Sequence, residues 1–285
     1  MLIRHYLLIL IITILFGSAY PIQKIILNEN VPPLLMGSLR MLIVFIFLIP
    51  FWKFKIPEKK YWLPLLCFSI CMGFMVNFFM TLSINQTSII SPIIIGSQLA
   101  IPFAILLSSI FLKEVVSIKK WILIFISFFG IILLGFDPLI KDEIFALFLI
   151  SFMAFFYASA QVFSRYLRDL EVTLTNGFMG LCGFLCLIVT SYIYEENTIN
   201  AIQNISYQSW ILILHSGILV SIAAHMSMFY LYRLYPVNKI FPFYALFPVF
   251  GVILTFIIFY EIPTLITIIG GTIVIVATYL INKEA

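Results

Sequence analysis

One stretch of this chain occurs twice, as Leu15-Phe-Gly-Ser-Ala-Tyr-Pro-Ile-Gln-Lys24 and, in altered form, as Phe156-Tyr-Ala-Ser-Ala-Gln-Val-Phe-Ser-Arg165. The copies are offset by 141 positions (15 to 156), so that small residues align with small residues and a basic residue closes each copy. Each copy lies in the first apolar segment of its half of the chain. A repeat of this length indicates two related halves.

The ends of the halves correspond as well. Pro102 lies twelve residues before Glu114, and Pro248 lies thirteen residues before Glu261. The repeat therefore extends along the whole chain. The predicted repeats are residues 1–138 and residues 139–285.

The composition excludes a soluble globular protein. Of the 285 residues, 63% are hydrophobic and only 10% are charged, and the mean hydropathy is +1.16. Such a chain has too little polar surface to cover a soluble domain of this size. Its apolar runs reach the roughly 20 residues that a membrane-spanning helix needs, without the strict alternation of a barrel strand. The sequence predicts an all-α polytopic protein embedded in a lipid bilayer.

Charge clusters and Pro or Asn turns divide the chain into ten apolar segments, which predict ten transmembrane helices in two inverted five-helix repeats. The predicted spans are residues 6–27, 33–51, 61–83, 90–112, 119–136, 143–164, 172–194, 208–231, 239–260 and 263–282. The first span is longer than the apolar core of a signal peptide and belongs to the repeat, so we expect it to be retained.

Basic residues are distributed unevenly between the two predicted sides. With a cytoplasmic N-terminus, only Lys24 and Lys141 fall outside, and about thirteen basic residues fall inside. The inside set is Arg4, Lys53, Lys55, Lys59, Lys60, Lys113, Lys119, Lys120, Arg165, Arg168, Arg233, Lys239 and Lys283. This positive-inside bias predicts a protein of the cell inner (plasma) membrane with both termini cytoplasmic. The net charge of +4 then reflects topology and requires no nucleic-acid partner.

Five spans in each half would invert the second half relative to the first, because an odd number of crossings reverses the side on which the second copy starts. Inverted halves can exchange conformations and so open a central site to each side in turn. We therefore expect a secondary transporter that moves a small metabolite, such as an amino acid or a related compound.

Two blocks of the sequence resemble a known family. Residues 15–50, which include Arg40 and Pro50, resemble the opening of the EamA-like permeases of the drug/metabolite transporter superfamily. Residues 102–135 resemble the block that closes each repeat of that family, and its second copy occupies residues 248–271. The resemblance implies a ten-helix secondary carrier of small metabolites.

Prolines recur at matching places in the fourth and ninth predicted spans. Pro102 in the fourth corresponds to Pro248 in the ninth. Proline removes a backbone donor and bends a helix, so we expect hinges at these two residues. The alternative is that they have no special role, because proline is commoner in membrane helices than in soluble ones.

Polar side chains recur at related depths of the two halves, as three pairs. The alignment pairs Tyr20 with Gln161, and distance from a proline pairs Gln98 with Tyr244. The third pair is Asn77 and His225, which lie at matching depths of the third and eighth spans. The predicted substrate-binding residues are Tyr20, Asn77, Gln98, Tyr157, Gln161, His225 and Tyr244. Hydrogen bonding between helices is the alternative role for each of them.

Arg40 is the one fixed charge deep inside a predicted span, about 10 Å below the end of its helix at about 1.5 Å per residue. It could bind a carboxylate or phosphate of the cargo, or it could extend to the membrane surface or bind backbone carbonyls. No Asp or Glu lies in the middle of a span. This pattern predicts a neutral, zwitterionic or weakly charged cargo.

Other functional classes have little support. His215 and His225 lie too far apart along their helix to bind one metal, and no nucleophile elbow or phosphate loop occurs, so we expect neither an enzyme, a metal site nor a cofactor. The expected partners are a small-molecule substrate and lipid, in a monomer or homodimer. A non-transporting accessory subunit of a membrane complex is the alternative.

Overall fold

The computed structural model describes residues 2–51, 57–196, 198–235 and 240–283. Within these ranges the chain is helical and contains no β-strand. The first-half helices are α1 (Ile3–Asn28), α2 (Pro33–Leu48), α3 (Lys59–Asn85), α4 (Ser91–Phe111) and α5 (Ile118–Leu134). The long helices of the second half are α6 (Ile144–Arg165), α7 (Val172–Tyr194), α8 (Tyr207–Leu214, His215–Ala224 and His225–Leu234), α9 (Phe241–Leu246 and Phe247–Phe259) and α10 (Leu265–Lys283), and a short unnumbered helix, Thr198–Asn204, precedes α8.

Eight of the described helices, all except α5 and α9, are long and apolar enough to cross a membrane. α5 has 17 residues, and the α-helical part of α9 has 13. The predicted all-helical class is therefore confirmed, whereas the count of ten crossings stays a prediction. Lys53, Lys55 and Lys239 of the predicted inside set lie outside the described residues.

The helices of the two halves pack against each other reciprocally. α2 packs against α7, and α5 packs against α10. α1 packs against α8 and α9, and its counterpart α6 packs against α3 and α4. This arrangement encloses the centre of the molecule between α1, α3 and α4 of one half and α6, α8 and α9 of the other.

Glycine allows two of these helix pairs to touch through their backbones. A Cβ placed on Gly73 of α3 would lie 2.3 Å from the carbonyl oxygen of Met179 in α7. A Cβ placed on Gly17 of α1 would lie 2.7 Å from the backbone nitrogen of Gly251 in α9. Small residues at such contacts are how membrane helices gain packing energy in lipid.

Left-handed residues mark equivalent points at the ends of α4 and α9. Lys113 has a φ of 55° and Tyr260 has a φ of 56°. Each directly precedes the glutamate of the repeated closing block, Glu114 or Glu261. A residue in this conformation ends a helix and redirects the chain. The two halves thus share a backbone conformation at positions where their sequences differ.

Candidate functional site

A cavity of about 110 Å³ lies where the two halves meet. Helices α1 to α4 of the first half and α6 to α9 of the second contribute to its lining. Its polar side chains are Tyr20, Arg40, Asn77, Ser97, Tyr157, Asn176, Ser221, His225 and Tyr244. The cavity therefore combines hydroxyl, amide, imidazole and guanidinium groups with an otherwise apolar wall.

Five of the seven predicted binding residues line this cavity, namely Tyr20, Asn77, Tyr157, His225 and Tyr244. The other two do not. Gln98 is buried between α4 and α9, where its Nε2 donates to the carbonyl of Ala245 over 3.3 Å. Gln161 is exposed, one helical turn beyond Tyr157.

Asn77 and His225 both follow an interruption of their helices. Ile70–Met75 of α3 and His215–Ala224 of α8 are π-helical, and wider turns of this kind leave carbonyls without their usual partners. The Nδ2 of Asn77 donates to the carbonyl of Gly73 over 2.9 Å. The Nδ1 of His225 lies 3.1 Å from the carbonyl of Val220. The two residues, which the sequence places at matching depths, therefore each lie just after a π-helical segment of their helix.

Pro102 and Pro248 also stand beside helix interruptions. Ser97–Leu99 of α4 and Phe241–Leu246 of α9 are 3₁₀-helical, and each segment ends a few residues before its proline. The proline ring clashes with the carbonyl of the residue four positions earlier, and this disturbs the preceding turn of the helix. These two segments bring Ser97 and Tyr244 to the cavity.

Aromatic rings join helices of both halves around the cavity. The ring of Phe16 in α1 packs edge-on against His225 and Tyr244, with centroids 4.8 and 5.4 Å apart. The hydroxyl oxygens of Tyr157 and Tyr244 lie 3.4 Å apart. Three of the predicted residues thus belong to one aromatic cluster, which α1, α6, α8 and α9 form together.

Methionine forms much of the apolar wall. Half of the ten methionines of the chain line the cavity: Met41, Met72, Met80, Met153 and Met179. Sequence reasoning did not identify them, although Met72 and Met80 are eight residues apart and so lie on one face of α3 with Val76. That spacing, next to Asn77, was the available signal.

Arg40 lines the cavity and does not extend to the membrane surface. Its Nε donates to the hydroxyl of Ser221 over 2.9 Å, and that hydroxyl in turn donates to the carbonyl of Ser216 over 3.0 Å. In the part of the chain that the structure describes, no carboxylate forms an ion pair with Arg40.

Two glutamates tie the ends of helices together at the end of the molecule that contains Lys24, which we call the Lys24 end. The carboxylate of Glu195 accepts from the backbone amides of Leu34 and Leu35 at the start of α2, over 2.7 and 3.0 Å. The carboxylate of Glu261 accepts from the amides of Ile90 and Ser91 at the start of α4, over 2.8 and 2.9 Å. Each glutamate satisfies amides that a helix start leaves without partners.

Three further carboxylates connect the halves at the Lys24 end. Glu29 accepts from the hydroxyl of Ser209 over 2.6 Å, and Glu143 accepts from the amide of Ser88 over 2.9 Å. Asp137 accepts from the hydroxyls of two residues at the start of α10, Thr264 and Thr267. We call the full set the bridging carboxylates: Glu29, Asp137, Glu143, Glu195 and Glu261.

Hydrogen bonding shifts the titration of three of these groups. The hydroxyls of Ser206 and Ser209 lower the pKa of Glu29 below its ordinary value. Burial alone would raise the pKa of Asp137 and of Glu143, but the hydrogen bonds that they accept outweigh it and lower the pKa of both. A group with a depressed pKa stabilises the fold above its unfolded-state pKa, and this contribution is lost as the pH falls through the folded-state value.

We therefore expect the melting temperature of the detergent-solubilised protein to fall steeply as the pH drops below about 4.5, where these carboxylates take up protons. The triple variant Glu29→Gln, Asp137→Asn, Glu143→Gln should melt lower at neutral pH and show a flatter acid limb. Asp142→Asn, at an exposed neighbouring carboxylate, is the control and should match the native protein. An unchanged melting temperature from about pH 6 to pH 3 would contradict the stabilising role of these groups.

The opposite end of the molecule, which we call the Arg165 end, has weaker connections among the described residues. Arg165 forms an ion pair with Glu114 over 3.2 Å, and both side chains are largely exposed. Such exposed pairs contribute at most about 1 kcal/mol. Tyr61 donates to Asp169 over 3.3 Å, also at the surface.

Metal binding has no support in the described residues, which contain no group of three or more His, Cys, Asp or Glu side chains placed to hold an ion. The four cysteines are free thiols.

Comparison with known proteins agrees with the fold. The model of the EamA-like transporter family matches residues 3–136 and residues 144–283. Of 27 matching chains of known structure, one crystal structure superimposes with a TM-score of 0.64 at 16% identity, over 98% of this chain and 96% of that one, which shows a shared fold. No curated protein matches. Because the two family matches cover nearly the whole chain, this multi-pass membrane protein belongs to the EamA-like transporter family.

Proposed function

We propose that the chain is a secondary transporter that moves a small metabolite, such as an amino acid or a related compound, across the inner (plasma) membrane by alternating access. The observation that carries the proposal is a central cavity to which both halves contribute polar side chains. Carriers built from related halves bind their cargo where the halves meet. A volume of about 110 Å³ lies well below the roughly 300–1,000 Å³ of sites for drug-sized ligands, which favours a small cargo.

In this proposal ten helices cross the membrane as two inverted repeats, residues 1–138 and 139–285, with both termini in the cytoplasm. The reciprocal packing of α1 with α9 and of α4 with α6 supports the repeat. The positive-inside bias supports the orientation and makes the Lys24 end the outer one.

We assign contact with the substrate to Tyr20, Asn77, Tyr157, His225 and Tyr244, because all five face the cavity. Their hydroxyl, amide and imidazole groups can both donate and accept hydrogen bonds, and groups of this kind orient a ligand in an apolar pocket. Gln98 takes a structural role in the proposal, since its amide joins α4 to α9.

Counterpart residues indicate which side the site faces. Tyr20 and Gln161 occupy equivalent positions of the repeat, yet Tyr20 is only 6% exposed whereas Gln161 is exposed. Beyond Tyr20 toward the Lys24 end the core is closed, and Ile26 and Ile84 have no exposed surface. We therefore interpret this conformation as open toward the Arg165 end and closed at the Lys24 end.

Counterpart residues of the repeat also indicate the conformation that is open toward the Lys24 end. Glu261 caps the start of α4, so in the exchanged state its counterpart Glu114 would leave Arg165 and cap the start of α9. Pro102 and Pro248 would allow α4 and α9 to bend during this exchange, because each stands beside a 3₁₀-helical segment.

Filling the cavity should stop transport without unfolding the protein. Ala100→Phe places a ring in the cavity wall, whereas Leu185→Phe places the same ring on α7 at a side chain that is 50% exposed. We expect Ala100→Phe to lower uptake into proteoliposomes by about tenfold or more, which corresponds to about 1.4 kcal/mol. Leu185→Phe should transport normally, and both should keep the native melting temperature. Normal uptake by a folded Ala100→Phe variant would remove this cavity from the transport path.

A screen of amino acids, nucleosides, drugs and cofactors in proteoliposomes tests the proposal itself. Flux of at least one solute above that of empty liposomes is expected. Absence of flux for every solute, with a folded protein, would favour the alternative of a non-transporting accessory subunit.

A further inference from the structure

We propose that the cargo carries a single carboxylate, that Arg40 binds it, and that a small apolar tail contacts the methionine wall. This inference rests on the proposed transport function and names the chemical class of its substrate. It follows from the geometry of Arg40, from the charges around the cavity and from the composition of the wall.

The guanidinium of Arg40 is held in place with its binding edge free. Its Nε donates to Ser221, and Ser221 donates onward to Ser216, so a chain of hydrogen bonds fixes the plane of the group. In the described part of the molecule the two terminal nitrogens have no hydrogen-bond partner, and the side chain lines the cavity. Paired terminal nitrogens match the two oxygens of a carboxylate.

Among the residues that the structure describes, the charge of Arg40 has no counter-ion. Neither ion pair found among the described residues involves Arg40, and the titratable side chains that share its cavity are Tyr20, Tyr157, His225 and Tyr244, with no carboxylate. An unpaired charge inside a membrane protein is costly unless a cavity supplies a partner. A negatively charged cargo supplies that partner each time the site is occupied.

The single charge of Arg40 favours one class of anion over another. One guanidinium balances one negative charge, whereas a phosphate monoester carries nearly two and is typically bound by several cations or by helix starts. The described residues that line the cavity include no carboxylate, which disfavours a simple amine. An amino acid stays compatible, because the amide of Asn77 and the hydroxyls of the tyrosines can accept from its ammonium group.

The apolar wall of the cavity indicates an apolar tail. Met41, Met80, Met153 and Met179 are each less than 10% exposed and face the cavity, together with Phe16. Methionine side chains pack against varied apolar shapes at low cost. The cavity thus offers one charged contact and one adaptable apolar surface.

A series of ligands that share one tail tests the charge rule directly. The four compounds are 3-methylbutanoate, 3-methylbutanamide, 3-methylbutylamine and 3-methylbutyl phosphate, and their binding to the full-length protein in detergent would be measured by calorimetry. We expect 3-methylbutanoate to bind about 10- to 100-fold more tightly than each of the others, because only it forms a charge-matched pair with Arg40. Equal or tighter binding of the amide, the amine or the phosphate overturns the inference, and so does the absence of binding by all four.

Two variants locate the effect at Arg40. Arg40→Lys keeps the charge but loses the paired geometry, and Ser221→Ala keeps the arginine but removes the hydrogen bond that orients it. Each should weaken the binding of 3-methylbutanoate by about tenfold and leave the binding of 3-methylbutanamide unchanged. Arg40→Gln should abolish the preference for the carboxylate over the amide. If Arg40→Gln kept the full preference for the carboxylate, the carboxylate would bind at another place in the protein. The selectivity of the native protein stands as a test even when this variant does not fold.

Flux in proteoliposomes separates this inference from the transport function. Selective binding of 3-methylbutanoate without flux of any carboxylate would overturn the transport function and leave the Arg40 site intact. Flux of other solutes together with no carboxylate preference in binding would do the reverse.

Discussion

Gly73→Ala should destabilise the protein strongly, although it adds only one methyl group. The new Cβ would lie 2.3 Å from the carbonyl oxygen of Met179 and 3.2 Å from the amide of Gly183. Both are backbone atoms of α7, so that α3 and α7 must separate. Overpacking of this kind costs about 1–3 kcal/mol or more, and we expect the melting temperature in detergent to fall by roughly 5–10 °C.

Gly37→Ala is the matched control for this change. Its Cβ would meet side-chain atoms of Leu187, Thr81 and Asn77, at 3.4, 3.5 and 3.8 Å, which is ordinary contact. Alanine also favours the helix by up to about 1 kcal/mol relative to glycine, so stability should be unchanged or slightly increased. Equal melting temperatures for the two variants would mean that α3 and α7 do not approach as closely as described.

Removal of Glu261 should open the Lys24 end. Glu261→Ala leaves the amides of Ile90 and Ser91 without their acceptor, and each hydrogen bond to a charged group contributes about 1.5–3 kcal/mol. Ser91 is fully buried and its hydroxyl has no hydrogen-bond partner among the described residues, so Ser91→Cys provides a thiol reporter at this contact. In a background in which the four native cysteines are replaced by serine, we expect Glu261→Ala to speed maleimide labelling of that thiol by about tenfold or more.

Glu196→Ala is the control, because Glu196 is an exposed glutamate at the same end of the molecule. It should leave the labelling rate unchanged. The double variant Glu195→Ala, Glu261→Ala should label faster than either single variant, since both contacts join α2 or α4 to the other half. If labelling stays slow in the double variant, the closed end does not depend on these glutamates.

Much of the fold could be predicted because hydrophobic runs and a repeat are properties of the sequence alone. Eight of the ten expected spans appear as helices long enough to cross a membrane. α9 falls short because Phe241–Leu246 at its start is a tighter 3₁₀ segment, in the turns that precede Pro248.

The site was predicted in part, and the two residues that do not line the cavity were assigned to it for reasons that the local structure explains. Gln98 was assigned to the cavity because it lies four residues before Pro102, on the same face of a regular α-helix. It lies instead within the 3₁₀ turn Ser97–Leu99, which has three residues per turn, so the face is rotated and Ser97 reaches the cavity. Gln161 aligns with Tyr20 in the repeat, but Tyr20 is only 6% exposed whereas Gln161 is exposed, so the two positions have different surroundings.

The π-helical segments of α3 and α8 could not be predicted, because they depend on neighbours that are distant in the sequence. Gly73 lies within one of them, against the backbone of α7, and Gly217 lies within the other, where a Cβ would be 2.6 Å from the side chain of Ile43 in α2. The helices that press on the two segments, α7 and α2, are counterparts in the repeat. Only the folded packing makes this correspondence visible.

The methionine wall makes the site adaptable and chemically vulnerable at once. An unbranched thioether with three rotatable bonds can follow the shape of different tails without moving the backbone, so tails of similar size should be discriminated weakly. Oxidation to the sulfoxide would replace that soft surface with fixed polar groups while leaving the helices intact. In the proposed carrier, oxidation of these thioethers would therefore weaken binding of the apolar tail, and binding would recover once the sulfoxides were reduced again.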